Sequence, residues 1–204
     1  KDETKISLDH YPRIRAMVHS EVLQVTATGQ LAFLNDMGDQ LEKDLRLAEL
    51  VSLPLALLVL LLVFRTVVAA ILPVAVGGLA VLGGIGLVVA FSHITDISQY
   101  TVNVVSLIGL GVAIDYSLLV VSRWREERAH GHDNEEAVVI AMKTAGHAVV
   151  ASGVTVAISL LALLVVPVPF LRSMGVGGML IPLVSVAVVL TLLPALLSSF
   201  GPRI

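Results

Sequence analysis

The sequence contains no cysteine, and only 14% of its 204 residues are charged. Without cysteine the chain has neither a disulfide framework nor thiol chemistry. A soluble domain normally carries about a quarter charged residues, so the low charge content argues against a soluble globular protein. The net charge of −3 gives no reason to expect nucleic acid as a partner.

The sequence motifs of several enzyme classes are absent as well. We find no Walker lysine, no zinc-binding motif and no nucleophile elbow, so we expect no enzymatic activity, no catalytic residues and no metal site. His130 and His132 could in principle bind a metal, but that interpretation is weak. The cytoplasmic loop around Trp124 is adequately explained by a helix end with basic side chains and an aromatic ring at the lipid interface.

Long apolar stretches dominate the rest of the chain. Hydrophobic residues make up 56% of it and the mean hydropathy is +0.93, while most charges fall in residues 1–49 and 123–143. Apolar stretches of about 18 or more residues predict membrane-spanning helices. We therefore predict an all-α membrane bundle, residues 50–204, with spans at about 50–64, 67–91, 101–122, 145–166 and 171–197.

Residues 1–49 have the pattern of the end of a folded domain. Ile6 to Ser20 has helical spacing, and Glu21 to Thr28 is rich in strand-forming residues. Apolar residues then recur every three or four positions from Leu31 to Ala48, without a helix breaker before the first span. We predict a small α/β remnant of a folded domain, followed by a continuous helix into the membrane.

The basic residues near the spans predict the orientation in the membrane. Under the positive-inside rule, the side with more lysine and arginine is cytoplasmic. This places residues 1–49 outside the cytoplasm and residues 123–143 inside. Because a polar extracytoplasmic start needs an upstream span, and the chain opens with Lys1 rather than methionine, we expect a fragment of a longer protein.

Asp115 is an ionisable residue inside the third predicted span. It lies about seven residues from the cytoplasmic end, or roughly 10 Å deep. A carboxylate in the membrane costs at least about 2.5–3.5 kcal/mol on insertion scales, so such residues usually have a function. Asn103, Ser106, Leu107 and Gly111 lie near the same helical face, which we expect to face protein or water. We interpret Asp115 as a proton carrier; the alternative is a carboxylate that only stabilises helix packing.

Ser152 is predicted to lie at the same depth in the fourth span. If the third and fourth spans are antiparallel neighbours, the Ser152 hydroxyl could connect the Asp115 carboxylate to water. Thr155 and Ser159 share its helical face. The alternative is that all three hydroxyls bond to carbonyl groups of their own helix, four residues earlier. The sequence leaves both interpretations open.

Four segments resemble one known family of transporters. Gly109–Glu127, with the sequence GLGVAIDYSLLVVSRWREE, resembles the fourth-span signature of the MMPL family in the resistance–nodulation–division superfamily. Leu53–Arg65, Thr144–Val156 and Thr191–Leu197 match the family in order and spacing. The resemblance covers about the last three quarters of the chain.

The resemblance implies a specific organisation and function. Members usually have twelve spans in two similar halves, so this chain would contain the end of the first large loop and spans two to six. It implies export of lipids or other hydrophobic molecules across the plasma membrane, driven by the proton gradient without a cofactor. The implied partners are membrane lipids, a hydrophobic substrate, and the second half of the transporter or a second copy.

Asp115 and Tyr116 resemble the proton relay of the family. In the family this pair bonds with an equivalent pair from the other half, so the chain alone is not expected to be a complete pump. Family members often carry arginine where this chain has His147, and we therefore assign that position no role.

Two other functions remain open. A protein-translocation accessory of the same superfamily also uses an intramembrane aspartate, although the sequence Asp115-Tyr116-Ser117 favours the MMPL family. A sterol-sensing-like or scaffold module would bind lipid without moving protons. Ligand-induced proton flux would distinguish a transporter from such a module.

Overall fold

The computed structural model describes residues 2–18, 25–94, 97 and 99–201. The chain forms two compact units, Lys1–Pro54 and Leu55–Ile204. Throughout the described ranges the regular structure is helical. The helices are α1 (Asp2–Met17), α2 (Gln30–Phe64), α3 (Val67–Ser92), α4 (Gln99–Ala129), α5 (Asn134–Leu161) with a 3-10 turn (Ala162–Val165), and α6 (Pro169–Phe200).

Five of these helices, α2 to α6, are long and apolar enough to cross a membrane. This confirms the prediction of an all-helical bundle with five spans. The first of these five helices, α2, begins at Gln30, well before the predicted span, and is continuous to Phe64. The uninterrupted apolar spacing from Leu31 onward had predicted this continuity.

The first unit contains α1 and the beginning of α2. Arg15 forms an ion pair with Asp36 at 2.5 Å. The hydrogen bond to Asp36, and next the negative charge of Asp36, raise the pKa of Arg15. Of the predicted strand from Glu21 to Thr28, residues 21–24 lie outside the described part of the chain, and residues 25–28 have no regular structure. The α/β character of this region stays a prediction.

The second unit is built around α4 and α6. Helix α4 packs against α3, α5 and α6, and α6 also packs against α3 and α5. Glycines permit the close approach: a Cβ at Gly84 or Gly109 would lie 2.5 or 2.4 Å from the side chain of Ile181. Small residues commonly let membrane helices approach in this way.

The turn between α2 and α3 is made at Arg65. This residue has φ 57°, in the left-handed region that ends many helices, and its backbone N–H donates to the Leu61 carbonyl at 2.7 Å. Arg125 of α4 donates from Nη1 to the Phe64 carbonyl at 2.5 Å and lies 5.5 Å from the centre of the Phe64 ring. The last turn of α2 is therefore tied to the last turns of α4.

The turn between α4 and α5 is held by charged side chains. Asp133 accepts a hydrogen bond from the Glu136 backbone N–H at 2.8 Å and so caps the N-terminus of α5. Glu127 is buried and forms an ion pair with Arg123 at 2.5 Å, and its other carboxylate oxygen lies 3.4 Å from His132 Nε2. The α2–α3 and α4–α5 turns lie at the same end of the bundle. We call it the turn end.

Candidate functional site

Tyr116 and Ser152 join α4 to α5 inside the bundle. The Tyr116 side chain is 8% exposed, and its Oη lies 3.4 Å from Ser152 Oγ. Either hydroxyl can donate. Hydrogen bonds between oxygen atoms are usually about 2.5–3.0 Å long, so this contact is at the weak end of the range. A slight approach of α5 toward α4 would convert it into a strong bond.

At Gly153, α6 packs closely against α5 beside the Tyr116–Ser152 contact. A Cβ at this position would lie 2.2 Å from Val186 Cγ2, 3.6 Å from the Pro182 carbonyl oxygen and 3.6 Å from Tyr116 Cε2. Helix α6 therefore contacts α5 directly beside the Tyr116 ring. Side chains of α4, α5 and α6 therefore meet at this level of the bundle.

The hydroxyls of α5 do not all behave alike. Thr155 donates to the Ala151 carbonyl and Ser159 to the Thr155 carbonyl, each at 2.8 Å. For these two side chains the alternative interpretation is confirmed: each hydroxyl donates to a carbonyl of its own helix, four residues earlier. Ser152 instead meets the hydroxyl of Tyr116 across the helix interface. Of these three hydroxyls, Ser152, the one predicted for the site, is thus the one that contacts another helix.

Asp115 lies on the surface of the second unit. It is exposed, and no hydrogen bond or ion pair to a described residue holds its carboxylate. Leu107, Gly111 and Leu119, on the same helical face, are exposed as well. This face belongs to a helix with the length and composition of a membrane span, yet it carries an ionisable group. A partner other than lipid is therefore needed on this face.

The sequence predicted that Ser152 lies beside Asp115 and reaches it through water, and the side chain that Ser152 directly contacts is Tyr116. The predicted and the observed neighbour are one residue apart along α4, or about 100° around the helix. Matching depths could not resolve such a rotation. A water bridge from Ser152 to Asp115 stays a prediction.

Two further features were not predicted. Asn134, the first residue of α5, hydrogen-bonds both α4 and α6. Its position after a helix cap carried no signal of these contacts. His132 faces Glu127 and Glu136 through its two ring nitrogens, at 3.4 and 3.0 Å. Within the described residues, histidine, aspartate and glutamate form no group of three arranged for a metal.

Comparison with known proteins decides the family. The profile of the MMPL family matches residues 1–204. The chain belongs to the MMPL family. This assignment agrees with the resemblance of the α4 segment around Asp115 and Tyr116.

The relatives of this MMPL chain include named exporters. A Streptomyces coelicolor membrane protein is 43% identical over 196 residues, which are 96% of the chain and 28% of the relative. The trehalose monomycolate exporter MmpL3 of Mycolicibacterium smegmatis is 39% identical over 92% of the chain and 19% of the relative. MmpL11 of the same organism, named an exporter of mycolic acid-containing lipids, is 41% identical over 78% of the chain and 17% of the relative.

Two conclusions follow from these comparisons. The MMPL chain spans less than a third of the length of these relatives. The two with functional names are exporters and not enzymes, in agreement with the sequence prediction. Together with the five apolar helices, the family assignment makes the chain part of a multi-pass membrane protein.

Proposed function

We propose that this chain is part of a transporter in the plasma membrane that exports lipids or other hydrophobic compounds, driven by proton entry. The observation that carries the proposal is Asp115, an ionisable side chain in the middle of an apolar helix, next to the Tyr116–Ser152 contact. The names of two relatives as lipid exporters support the substrate class.

In the proposed mechanism Asp115 alternates between acid and carboxylate. An apolar environment favours the neutral acid, while a hydroxyl or water that donates a hydrogen bond stabilises the anion. We assign the supply of such bonds to Tyr116 and Ser152, directly or through one water. The two protonation states would favour different packing of α4 against its neighbours, and this difference links proton entry to movement of the transporter.

The exposed face of α4 has a proposed partner. Since an ionisable group is costly in lipid, Asp115 should meet protein or water in the membrane. We assign this role to the second half of the same transporter, or to a second copy of the chain. Residues 1–49, including the proposed α/β remnant, would lie outside the cytoplasm and belong to the domain that handles the substrate. Residues 123–143 would lie inside.

The proposal is tested with the full-length protein in lipid vesicles. Trehalose monomycolate and a fluorescent phospholipid serve as probes, with an imposed pH gradient and a pH-sensitive dye inside the vesicles. We expect lipid movement and proton entry to depend on each other. Lipid binding without any proton entry would instead favour the sterol-sensing-like or scaffold alternative.

Substitutions at the site sharpen this test. Tyr116→Phe should slow transport several-fold without abolishing it, because Asp115 remains. Ser152→Ala should have a smaller effect, since the observed contact is long. Thr155→Val is the matched control, because it removes a hydroxyl of the same helix that bonds only to its own backbone. Equal transport by all three variants and the wild type would contradict the proposed roles of Tyr116 and Ser152.

A further inference from the structure

Asn134 connects three helices at the turn end of the bundle. Its Oδ1 accepts a hydrogen bond from Trp124 Nε1 of α4 at 3.2 Å. Its Nδ2 donates to the carbonyls of Leu197 and Ser198 in the last turn of α6, each at 3.2 Å. One amide side chain thus uses its acceptor and its donors on two different neighbouring helices.

These bonds supply partners to polar groups at the turn end. The last four carbonyls of a helix lack an N–H partner within it, and Asn134 donates to one of them, that of Ser198. It also donates to the Leu197 carbonyl, which in addition accepts from the Gly201 backbone N–H. The indole of Trp124 is only 2% exposed, so its N–H needs an acceptor inside the protein. Gly201 leaves room for the arrangement, because a Cβ there would lie 2.2 Å from Asn134 Oδ1.

The cluster of Trp124, Asn134 and the end of α6, which we call the Asn134 clamp, acts on the same helices as the candidate site. Among the described residues two side-chain hydrogen bonds join α4 to α5: Trp124–Asn134 and Tyr116–Ser152. Helix α6 meets α5 at the clamp and again at Gly153, beside Tyr116. Sliding or rotation of α5 at the clamp would therefore change the Tyr116–Ser152 contact.

We propose that Asn134 is a positioning residue for proton transfer: the clamp sets the register of α5 against α4 and α6, and so holds Ser152 within reach of Tyr116. The observed contact of 3.4 Å is near the limit of a hydrogen bond, so a small shift of α5 is enough to lose it. This inference rests on the proposed transport function. Its partner Trp124 lies nine residues from Asp115 along α4, or roughly 13 Å at 1.5 Å per residue.

The test is a double-substitution cycle measured as proton entry into vesicles that contain the full-length protein, read with a pH-sensitive dye. Asn134→Ala is made alone and together with Tyr116→Phe. If the clamp acts through the Tyr116–Ser152 contact, Asn134→Ala alone should slow proton entry about three- to fourfold and no more than Tyr116→Phe does, because loss of one weak hydrogen bond limits the effect. With Tyr116→Phe already present it should slow entry by less than about twofold.

A merely structural role gives a different result. The same slowing in both backgrounds would overturn the proposal, and so would wild-type proton entry by Asn134→Ala. Thr144→Val is the matched control on α5, since this hydroxyl bonds only to carbonyls of its own helix, and it should change nothing.

Two measures keep the outcome decisive. If Asn134→Ala does not reach the membrane, Trp124→Phe removes one donor while keeping an aromatic ring, and should show the same non-additivity at about two- to threefold. Asp115→Asn separates the two proposals. Proton entry by Asp115→Asn would contradict the transport function. If Asp115→Asn is inactive but the effects of Asn134→Ala and Tyr116→Phe are additive, only the role of the clamp is contradicted.

Discussion

Replacing Gly153 with alanine tests the close contact of α5 and α6 beside Tyr116. The new Cβ would lie 2.2 Å from Val186 Cγ2, far inside van der Waals contact. Valine is branched at Cβ and is held in one main rotamer within a helix, so its methyl group cannot simply turn away. Either α6 must move outward or the backbone of α5 must shift.

Two opposing effects determine how much Gly153→Ala changes the free energy of unfolding. Forcing an extra methyl group into a packed interface costs about 1–3 kcal/mol. Alanine is a better helix former than glycine by up to about 1 kcal/mol, which offsets part of that cost. We therefore expect Gly153→Ala to lower the free energy of unfolding by about 1–2 kcal/mol. Since Tyr116 Cε2 lies 3.6 Å from the same point, transport should slow as well.

Gly146→Ala is the matched control. Gly146 is on the same helix and also faces α6, but its Cβ would meet Leu190 Cδ2 at 3.4 Å, an ordinary contact. Unfolding of the full-length protein is followed by titration with a denaturing detergent in mixed micelles. Gly146→Ala should be as stable as the wild type or slightly more so.

A compensating substitution makes the reasoning refutable. Val186→Ala removes the methyl group that the new Cβ would strike, so Gly153→Ala with Val186→Ala should be more stable than the sum of the two separate effects. Additive effects of the two substitutions would refute the proposed clash. Equal stability of Gly153→Ala and Gly146→Ala would refute it too.

Three further predictions concern the turns and the orientation. Arg125→Ala should destabilise the protein by about 1–2 kcal/mol, because it removes the bond to the Phe64 carbonyl and the contact with its ring; unchanged detergent unfolding would contradict this role. Asp133→Ala should cost about 1 kcal/mol through loss of the α5 cap, and Asp133→Ser distinctly less; equal losses in the same assay would argue against capping. In intact cells an impermeant thiol reagent should label His10→Cys and not His130→Cys, both of which are exposed positions, and the reverse pattern would overturn the proposed orientation.

The sequence predicted the helices well because each carries a strong local signal. Apolar runs predicted the five spans, and the spacing after Leu31 predicted a continuous α2. Arg65 provided the tight turn although it is not glycine, with φ 57°. In these cases the residues that determine the structure are neighbours along the chain.

The partners across helix interfaces were harder to predict. Depth along α4 and α5 predicted that Ser152 lies near the level of Asp115. The rotation of each helix about its axis decides which side chain of α4 Ser152 contacts, and that side chain is Tyr116. The contacts of Asn134 with Trp124 and the end of α6 depend on residues 10 and 63 positions away. No spacing within a single helix contains that information.

Asp115→Asn in the full-length protein tests the central claim most directly. The substitution keeps the size and some hydrogen bonding of the side chain but removes its ability to carry a proton. Vesicles with equal amounts of wild-type and variant protein are given a pH gradient, and proton entry and movement of the fluorescent phospholipid are recorded together. We expect the variant to fold, reach the membrane and lose both activities. Wild-type rates of both would contradict the relay and leave Asp115 as a residue of helix packing.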